Sequence, residues 1–452
     1  MQANDKPATP ISSYFRSFAI LPLQLLGTRS ICYTYFLVTS TSSKLAIDGG
    51  TPVRSAPYPP WPQFHEAHSQ VVDAVLRSGK VNYWTGLEGR AFEREFARQC
   101  QANHAVAVAN GTVALELALH SLGIGPGDEV VTPCRSFVSS TSCIVSRGAR
   151  PVFADVDRNS QNLTADTIRD VLTERTRAIV AVHLAGWPCD MDSIMVLAAE
   201  RGLKVVEDCA QAQGARYHGQ PVGSLGHAGA FSFCQDKIMT TGGEGGMLTT
   251  NDPLVWQRAW SYRDHGRDFA ATASEEHSPG YRWLYHSAGT NWRMTEMQSA
   301  LGRHLLKQVE VNARRRCQLA ARLSSGFSRL PALRTCQPAA DLQHAYYRCY
   351  VFVRPERLRP GWSRDRIMQS IVAEGVPCYT GGCPEIYRER AFQAFRPSAR
   401  LPVATELGAT SLAFLVHPTI SEADISDTIE AVRKVMQHAT AERDVSRKRG
   451  AP

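Results

Sequence analysis

The 452-residue sequence contains no stretch of about 20 uninterrupted apolar residues, so it offers no good membrane span. Its most apolar segment, FRSFAILPLQLLGTRSICYTYFLVTS, is interrupted by Pro22 and Arg29. The segment also lacks the basic start, the continuous apolar run and the small-residue cleavage site of a secretory signal peptide. We therefore predict that residues 1–44 are a poorly ordered extension, or the product of a start codon assigned too far upstream. Residues 441–452, which read AERDVSRKRGAP, are expected to be a flexible tail.

No Cys-x-x-Cys pair occurs among the twelve cysteines, so a zinc site of that type is excluded and we predict no metal. Several cysteines, including Cys209 and Cys234, lie in or beside apolar strand-like runs, which indicates reduced, buried thiols in a cytoplasmic protein. The formal net charge of +8 suits anionic small molecules as well as nucleic acid. We interpret the run Arg314, Arg315 and Arg316 as a solvated helix face and expect no nucleic-acid partner.

Internal repeats and low-complexity linkers are also absent, and after residue 55 strand-like segments alternate with helix-like ones such as GTVALELALHSLGI and ADTIRDVLTERT. The strand-like segments, including DEVVTP, RAIVAVHLAG and KVVED, are continuous apolar runs. Such runs separated by helices predict an α/β fold with a mostly parallel central sheet that helices cover on both faces. We predict a large domain over residues 45–305 and a smaller C-terminal α+β domain over residues 306–440, which ends in a helix beginning at Ser421.

The stretch FSFCQDKIMTTGGEGG, residues 231–246, places a single lysine, Lys237, just beyond an apolar strand. Four glycines follow it: Gly242, Gly243, Gly245 and Gly246. Glycine lets the backbone adopt positive φ and approach a ligand closely. A lysine considered alone is most often a surface residue. A lysine held out of bulk water, however, becomes a nucleophile toward carbonyl groups, and a cofactor aldehyde is the natural partner for Lys237.

A carboxylate and an amide follow the strand KVVED in the segment VVEDCAQAQG. Asp208 is either a helix N-cap or a carboxylate that lies at a pyridine ring and keeps the ring nitrogen protonated, which makes the ring an electron sink. Gln211 lies three residues further on and either reaches the same cofactor or is a polar residue in the first turn of a helix.

A phosphate site is predicted in VANGTVALEL, where Gly111 and Thr112 lie between a strand and a helix. The first N–H groups of that helix are free, and the Thr112 hydroxyl would be a further donor. Ser232, five residues before Lys237, would add another hydroxyl. Phe137 follows DEVVTP and is either a core residue or a ring that stacks on a flat cofactor. Because ligands of parallel sheets gather outside the carboxyl ends of the strands, these residues together predict a pyridoxal 5′-phosphate (PLP) enzyme.

The sequence resembles the DegT/DnrJ/EryC1/StrS family of sugar aminotransferases, which have the three-layer PLP-transferase fold type I. The most specific matching segments are GAFSFCQDKIMTTGGEGGMLTT and GTNWRMTEMQSALG, and YWTGLEGRAFEREFA, NGTVALELAL, VHLAGWPCDMD and VEDCAQAQGA also match. This resemblance implies transfer of an amino group from glutamate or glutamine to a keto-sugar, expected to be nucleotide-linked. Such enzymes serve polysaccharide, O-antigen or secondary-metabolite biosynthesis.

The resemblance also implies the roles of individual residues. Lys237 would bind the cofactor aldehyde covalently, and Asp208 would pair with the ring nitrogen. The other implied cofactor-binding residues are Gly111, Thr112, Phe137, Gln211, Ser232 and Asn291. Asn291 would reach the phosphate of a neighbouring subunit, which predicts a homodimer with shared active sites. Thr85, Gly86 and Trp187 would line the substrate side of the pocket.

The segments CQDKIMTTGGEGG and HLAGWPCD depart from the commonest pattern of the family, so the acceptor stays open. Gln-Asp-Lys resembles the branch that acts on cyclitols such as inososes and on aminohydroxybenzoate (AHBA) precursors. A dehydratase or AHBA-synthase-like lyase is a further alternative, but sugar dehydratases of this family carry histidine where this chain retains Lys237. A silent scaffold or regulatory homologue is the non-enzyme alternative. A nicotinamide enzyme is disfavoured, because GGEGG is not a G-x-G-x-x-G motif between a first strand and a helix.

Overall fold

The computed structural model describes residues 44–273 and 280–441. The predicted extension and tail therefore lie outside the described residues, apart from residues 44 and 441. Among the helices of the described ranges, none is both long and apolar enough to cross a bilayer.

A seven-stranded sheet with the order β1-β9-β8-β5-β4-β2-β3 carries the predicted site. In chain order the strands are β1 (His104–Val108), β2 (Glu129–Pro133), β3 (Arg150–Ala154), β4 (Thr176–Val182), β5 (Lys204–Asp208), β6 (Arg216–Tyr217), β7 (Gln220–Pro221), β8 (Ala228–Ser232), β9 (Gly246–Thr250), β10 (Leu333–Thr335), β11 (Leu342–Gln343), β12 (Cys349–Val353), β13 (Cys378–Tyr379) and β14 (Ser411–Phe414). Strands β8, β5, β4, β2 and β3 are parallel, and β9 is antiparallel to β1 and β8. The predicted α/β fold with a mostly parallel sheet is confirmed.

Helices pack on both faces of this sheet. In chain order the helices are α1 (Glu66–Ser78), α2 (Glu88–Gln99), α3 (Gly111–Ser121), α4 (Ser139–Ser146), α5 (Ala165–Arg169), α6 (Met191–Arg201), α7 (Pro253–Arg263), α8 (Phe269–Ala273), α9 (Glu296–Leu306), α10 (Val309–Phe327), α11 (Arg364–Ala373), α12 (Pro402–Thr410) and α13 (Glu422–Ala439). Val106 and Val108 of β1 join a buried cluster with α3, α4 and α7, whereas Ala105 and Ala107 join another with α2. Because alternate side chains point to opposite faces, a strand buried on both faces must be apolar throughout.

A second, four-stranded antiparallel sheet with the order β10-β12-β14-β13 belongs to the C-terminal part of the chain. Helices α10, α11 and α13 bury its core. Helix α13 begins as predicted: the Ser421 side chain caps it, and Ile425, Val432 and Met436 are buried on one face. Strands β11, β6 and β7 form a small third sheet.

The first described residues pack on this C-terminal part and not on the large sheet. Leu45 is buried in its core, and the Glu374 carboxylate accepts hydrogen bonds from the backbone N–H groups of Ala46 and Val53. Lys434 Nζ lies 2.8 Å from the same carboxylate. The domain division at residues 305 and 306 stays a prediction, and we propose that residues 45–58 belong with the smaller domain.

The helix predicted over ADTIRDVLTERT is wrong in length, because α5 ends at Arg169 and β4 begins at Thr176. Two threonines close a turn between them. The N–H of Thr173 donates to Thr176 Oγ1, and the N–H of Thr176 donates to the carbonyl of Thr173. Threonine side chains that bond to nearby backbone compete with helical hydrogen bonds, and this local pairing ends the helix early.

Candidate active site

Four strands that run in the same direction end at one edge of the large sheet, and each predicted cofactor-binding segment begins there. Gly111 follows β1, Phe137 follows β2, Asp208 ends β5 and Ser232 ends β8. In the β5–β8 ladder Asp208 is aligned with Ala230, two residues before Ser232. The sheet topology therefore brings together residues that are up to about 120 positions apart in the chain.

The start of α3 forms a cradle that suits a phosphate group. The Asn110 side chain caps the helix by accepting a hydrogen bond from the N–H of Val113 at 3.0 Å. Within the described residues, no group accepts a hydrogen bond from the N–H groups of Gly111 and Thr112. The backbone of Gly111 lies against Ser232, since a Cβ added to it would be 2.5 Å from Ser232 Cβ. Two free donors beside a hydroxyl, at the positive end of a helix, fit an anion.

Asp208 is a buried carboxylate without a cationic partner among the described residues. It is 4% exposed, and in the described part of the chain no lysine, arginine or histidine forms an ion pair with it. Its two oxygens accept hydrogen bonds from Ser140 Oγ at 2.7 Å and from the N–H of Ala210 at 3.1 Å. A buried charge is normally paired, so a protonated ring nitrogen fits this position.

A second buried carboxylate, Glu207, lies next to Asp208 and belongs to the scaffold. Its Oε2 accepts from His183 Nε2 at 3.0 Å and from the N–H of Gly223, and its Oε1 accepts from two further backbone N–H groups. His183 Nδ1 accepts from the N–H of Cys189. Glu207, His183 and Cys209 are close enough to share an ion, but these hydrogen bonds already occupy the carboxylate and the imidazole. Burial raises the pKa of the Cys209 thiol to about 12, so it stays protonated.

Lys237 is partly buried, and its amine faces an aromatic ring. The Nζ atom lies 5.0 Å from the ring centroid of Tyr347. The carbonyl oxygen of Lys237 accepts a hydrogen bond of 2.8 Å from Trp61 Nε1. Among the described residues, no carboxylate pairs with the amine. The Tyr347 hydroxyl donates to the carboxylate of Asp236, the residue before the lysine.

The glycines that follow Lys237 have different structural roles. Gly242 and Gly243 adopt φ angles of 92° and 131°, as predicted for permissive backbone. Gly246 is different, because a Cβ added to it would lie 2.3 Å from the carbonyl oxygen of Asn110. The expectation that all of these glycines make room for a ligand is therefore wrong for Gly246, which makes room for the cap of α3. It is also wrong for Gly245, where an added Cβ would lie 2.1 Å from Thr241 Oγ1.

Phe137, Gln211 and Trp187 have distinct surroundings. Phe137 is 61% exposed, which excludes the core alternative and leaves its ring free to cover a flat cofactor. Gln211 Oε1 accepts a hydrogen bond from the N–H of Ala185 at 2.8 Å. The indole of Trp187 is partly buried, with its centroid 5.5 Å from that of the His344 ring.

The structure does not join Thr85, Gly86 or Asn291 to this group by any hydrogen bond within the described residues. Thr85 is exposed, and its hydroxyl donates to the carbonyl of Asn82. Gly86 packs against the carboxylate of Glu296, which a Cβ would approach to 2.1 Å. Asn291 is exposed and pairs with Asp264 in an isolated β-bridge.

The interpretation of the arginine run as a solvated face is wrong for Arg316, which is fully buried. Its guanidinium lies 5.2 Å from the ring centroid of Trp61, and one nitrogen donates to the carbonyl of Tyr346. Burial and the neighbouring Arg348 lower the pKa of Arg316 to about 9. Helical periodicity could have shown that one residue of the run faces inward. It could not have shown that this residue forms no salt bridge with a carboxylate of the described residues.

Several residues that shape the site were not predicted from the sequence. Ser139 exchanges a hydrogen bond of 2.9 Å with Thr112, and Ser140 bonds to Asp208. The serines in SFVSS, directly after Phe137, were the available signal. Trp61 and Tyr347 carried no such signal, because each is far from Lys237 in the chain.

The sequence profile of the DegT/DnrJ/EryC1/StrS aminotransferase family matches residues 62–433. The chain belongs to this family. The predicted family and the predicted aminotransferase class are therefore confirmed. Aminotransferases of this family use PLP, which confirms the predicted cofactor.

Curated relatives of this aminotransferase cover most of its length. The spore coat polysaccharide biosynthesis protein SpsC of Bacillus subtilis is 37% identical over 82% of this chain and 94% of its own. The GDP-perosamine synthase of Caulobacter vibrioides is 35% identical over 78% of this chain and 92% of its own. The L-glutamine:2-deoxy-scyllo-inosose aminotransferase of Streptomyces kanamyceticus is 33% identical over 88% of this chain and 98% of its own.

Solved structures show the same fold. An aminotransferase from Psychrobacter cryohalolentis is 51% identical to this one, with a TM-score of 0.83 over 84% of this chain and 99% of its own. A 3-amino-5-hydroxybenzoic acid synthase is 29% identical, with a TM-score of 0.76 over 85% of this chain and 100% of its own. The predicted PLP-transferase fold is confirmed by these neighbours.

Proposed function

We propose that this aminotransferase moves an amino group from glutamate or glutamine to a keto-sugar linked to a nucleotide. The observation that carries the proposal is the buried, unpaired carboxylate of Asp208 at the sheet edge where α3 offers two free N–H groups. GDP-perosamine synthase among the relatives supports a sugar-nucleotide acceptor. The net charge of +8 suits a diphosphate.

The residues that would hold PLP are those at the carboxyl edge. The N–H groups of Gly111 and Thr112, with the Ser232 hydroxyl, would bind its phosphate, Phe137 would cover its ring, and Lys237 would bind its aldehyde. When bound, PLP supplies an electron sink for the carbon that loses a proton.

Asp208 and Lys237 have separate tasks in this proposal. The Asp208 carboxylate, oriented by Ser140 Oγ and the N–H of Ala210, accepts the hydrogen bond of the protonated ring nitrogen. The Lys237 amine, free once the amino donor is bound, would take the proton from the donor's α-carbon and would then deliver that proton to the cofactor carbon that carried the aldehyde oxygen. One amine thus acts as base and then as acid, and the two half-reactions predict ping-pong kinetics.

We also propose a cytoplasmic homodimer with shared active sites. Asn291 and Thr85 are exposed, as residues that complete a partner's site would be in one chain considered alone. All described cysteines are free thiols, which suits a reducing compartment. Gel filtration with light scattering tests the dimer, and mixing Lys237→Ala protein with Asn291→Ala protein tests shared sites: hybrid dimers regain activity if one site of each hybrid is intact.

A cyclitol ketone is the second candidate acceptor. The relative that acts on 2-deoxy-scyllo-inosose aligns over 88% of this chain, more than the 78% covered by GDP-perosamine synthase. Like a keto-sugar, a carbocyclic ketone has a hydroxylated six-membered ring, but this ring contains only carbon atoms and carries no diphosphate. Competition by free nucleoside diphosphate separates the two, because it inhibits only an enzyme that binds the nucleotide.

The decisive experiment is a panel of keto-sugar nucleotides and inososes with glutamate and glutamine, followed by mass spectrometry. An aminated product supports transamination, whereas loss of water without gain of nitrogen indicates a dehydratase or lyase. Lys237→Ala should abolish turnover and the absorbance of PLP that is covalently bound to the lysine. Lys204→Ala, an exposed lysine at the other end of β5, is the matched control and should retain both. A Lys237→Ala protein that still transaminates refutes the proposal.

A further inference from the structure

The amine of Lys237 faces a ring that is itself fixed by the residue next to the lysine. Tyr347 is 9% exposed, and its backbone N–H donates to the carbonyl of Ala185 at 2.8 Å. Its hydroxyl donates to the carboxylate of Asp236. Burial raises the pKa of the Tyr347 hydroxyl, so the phenol stays protonated and remains a donor.

Two cationic groups lie over the Tyr347 ring. Lys237 Nζ is 5.0 Å and Arg348 Cζ is 4.3 Å from the ring centroid, both within the range of about 6 Å for cation–π attraction. Arg348 Nη2 also lies 3.5 Å from the Asp236 carboxylate. Asp236 therefore holds both the hydroxyl and the guanidinium that keep the ring in place.

We propose that Tyr347 is a positioning residue for Lys237. Its ring is the surface on which the lysine amine rests whenever the amine is not bound to the cofactor, and Asp236 locks the ring in that orientation. The inference rests on the proposed function, in which Lys237 is the amine that moves the proton.

The need for such a surface follows from the side chain. Lysine has a flexible four-carbon stem, and an amine released from the cofactor could point in many directions. The carbonyl of Lys237 is held by Trp61, but this bond fixes the backbone and leaves the amine free. A misplacement of about 1 Å can slow a reaction about 100-fold, so a ring that restricts the amine matters at the proton-transfer step.

Three substitutions separate the parts of this arrangement. Tyr347→Leu removes the ring, Tyr347→Phe keeps the ring and removes its bond to Asp236, and Asp236→Asn keeps an acceptor but removes the charge. Tyr379→Leu is the matched control, because Tyr379 is an exposed tyrosine of the same C-terminal part. Each holoenzyme is mixed with glutamate, unlabelled or deuterated at the α-carbon, and the half-reaction is followed by rapid-mixing absorbance.

For Tyr347→Leu we expect the half-reaction to slow by about 10- to 100-fold with an increased deuterium isotope effect, because proton transfer from a poorly held amine limits the rate. The KM for glutamate should change less than the rate does. Tyr347→Phe should retain most of the wild-type rate. The rate of Asp236→Asn should lie between the rates of Tyr347→Leu and Tyr347→Phe. An unchanged rate and isotope effect in Tyr347→Leu, with Lys237→Ala inactive, overturns the inference but not the proposed function.

A second measurement uses the cofactor-free protein. Methyl acetimidate modifies lysine amines, and peptide mass spectrometry reports the modification of Lys237 alone. We expect faster modification in Tyr347→Leu than in wild type, and an unchanged rate counts against the inference. If Tyr347→Leu does not fold, the same isotope and labelling measurements on Tyr347→Phe and Asp236→Asn test the positioning role of Tyr347. If the wild-type enzyme is inactive with both glutamate and glutamine, the proposed function fails. The labelling result remains valid in that case, because it does not depend on activity.

Discussion

Ser140 donates a hydrogen bond of 2.7 Å from its Oγ to Oδ2 of Asp208. The two residues come from α4 and from the end of β5, 68 positions apart. Ser140 Oγ also lies 2.9 Å from Ser136 Oγ, so a pair of buried hydroxyls supports the carboxylate. A carboxylate that is held by fixed donors keeps its orientation toward the cofactor ring.

Removing this hydroxyl should weaken the hold on PLP. Ser140→Ala leaves Asp208 with the Ala210 N–H as its remaining donor, and a lost hydrogen bond to a charged group costs about 1.5–3 kcal/mol. We expect PLP to dissociate about tenfold more readily or worse, which spectrophotometric titration of the apo protein measures. Ser146→Ala, an exposed serine on the same helix, is the control. Wild-type PLP affinity in Ser140→Ala would mean that Asp208 needs no support.

Adding a methyl group to Gly111 should damage the phosphate cradle. Its Cβ would lie 2.5 Å from Ser232 Cβ, so either α3 or β8 must shift. We expect Gly111→Ala to lose PLP affinity by about tenfold or more, whereas Gly125→Ala, whose nearest atom is 4.0 Å away, should not. The effect of Gly111→Ala should be smaller in a Ser232→Gly background, because the 2.5 Å contact with Ser232 Cβ is then absent and the 3.0 Å contact with Ser232 Cα remains. An equal effect in both backgrounds would contradict the steric explanation.

Breaking the buried pair of Lys434 and Glu374 should destabilise the protein. The two side chains are 7% and 0% exposed, and Glu374 also binds the N-terminal segment through Ala46 and Val53. Loss of one partner from a buried pair costs about 3–5 kcal/mol, so Lys434→Met should lower the free energy of unfolding in urea by about that amount. Asp166→Ala, in the exposed pair with Arg169, should change it by less than about 1 kcal/mol. Equal effects would show that burial of the pair does not matter.

Acid should weaken the protein through Glu385. The hydrogen bond from Arg400 lowers the pKa of Glu385 to about 2, below the value of about 4.3 for an unfolded chain. Because the folded pKa is the lower one, the stabilising contribution is complete above pH 4.3 and is lost as the pH falls toward 2. Glu385→Gln should therefore flatten this part of the curve of unfolding free energy against pH. If Glu385→Gln keeps the wild-type slope between pH 2 and 4, other carboxylates are responsible.

Local pattern was sufficient for the architecture and for the candidate edge. The apolar runs ending at Asp208 and Ser232 are strands β5 and β8, and parallel strands end on the same side of a sheet. Residues that follow such strands are therefore neighbours whatever the loops between them do. Helix α13 likewise follows from a cap at Ser421 and from apolar spacing.

Contacts between distant segments could be known only once the chain had folded. Trp61 reaches the carbonyl of Lys237 across 176 positions, and Tyr347 reaches Asp236 across 111. Nothing in the spacing of these residues distinguishes them from ordinary core aromatics, and Arg316 was expected on a solvated face. Backbone periodicity depends on neighbours in sequence, whereas the direction in which a long side chain points depends on what packs around it. The strand pattern in the sequence therefore predicts where the active site lies, and tertiary packing determines which side chains support it.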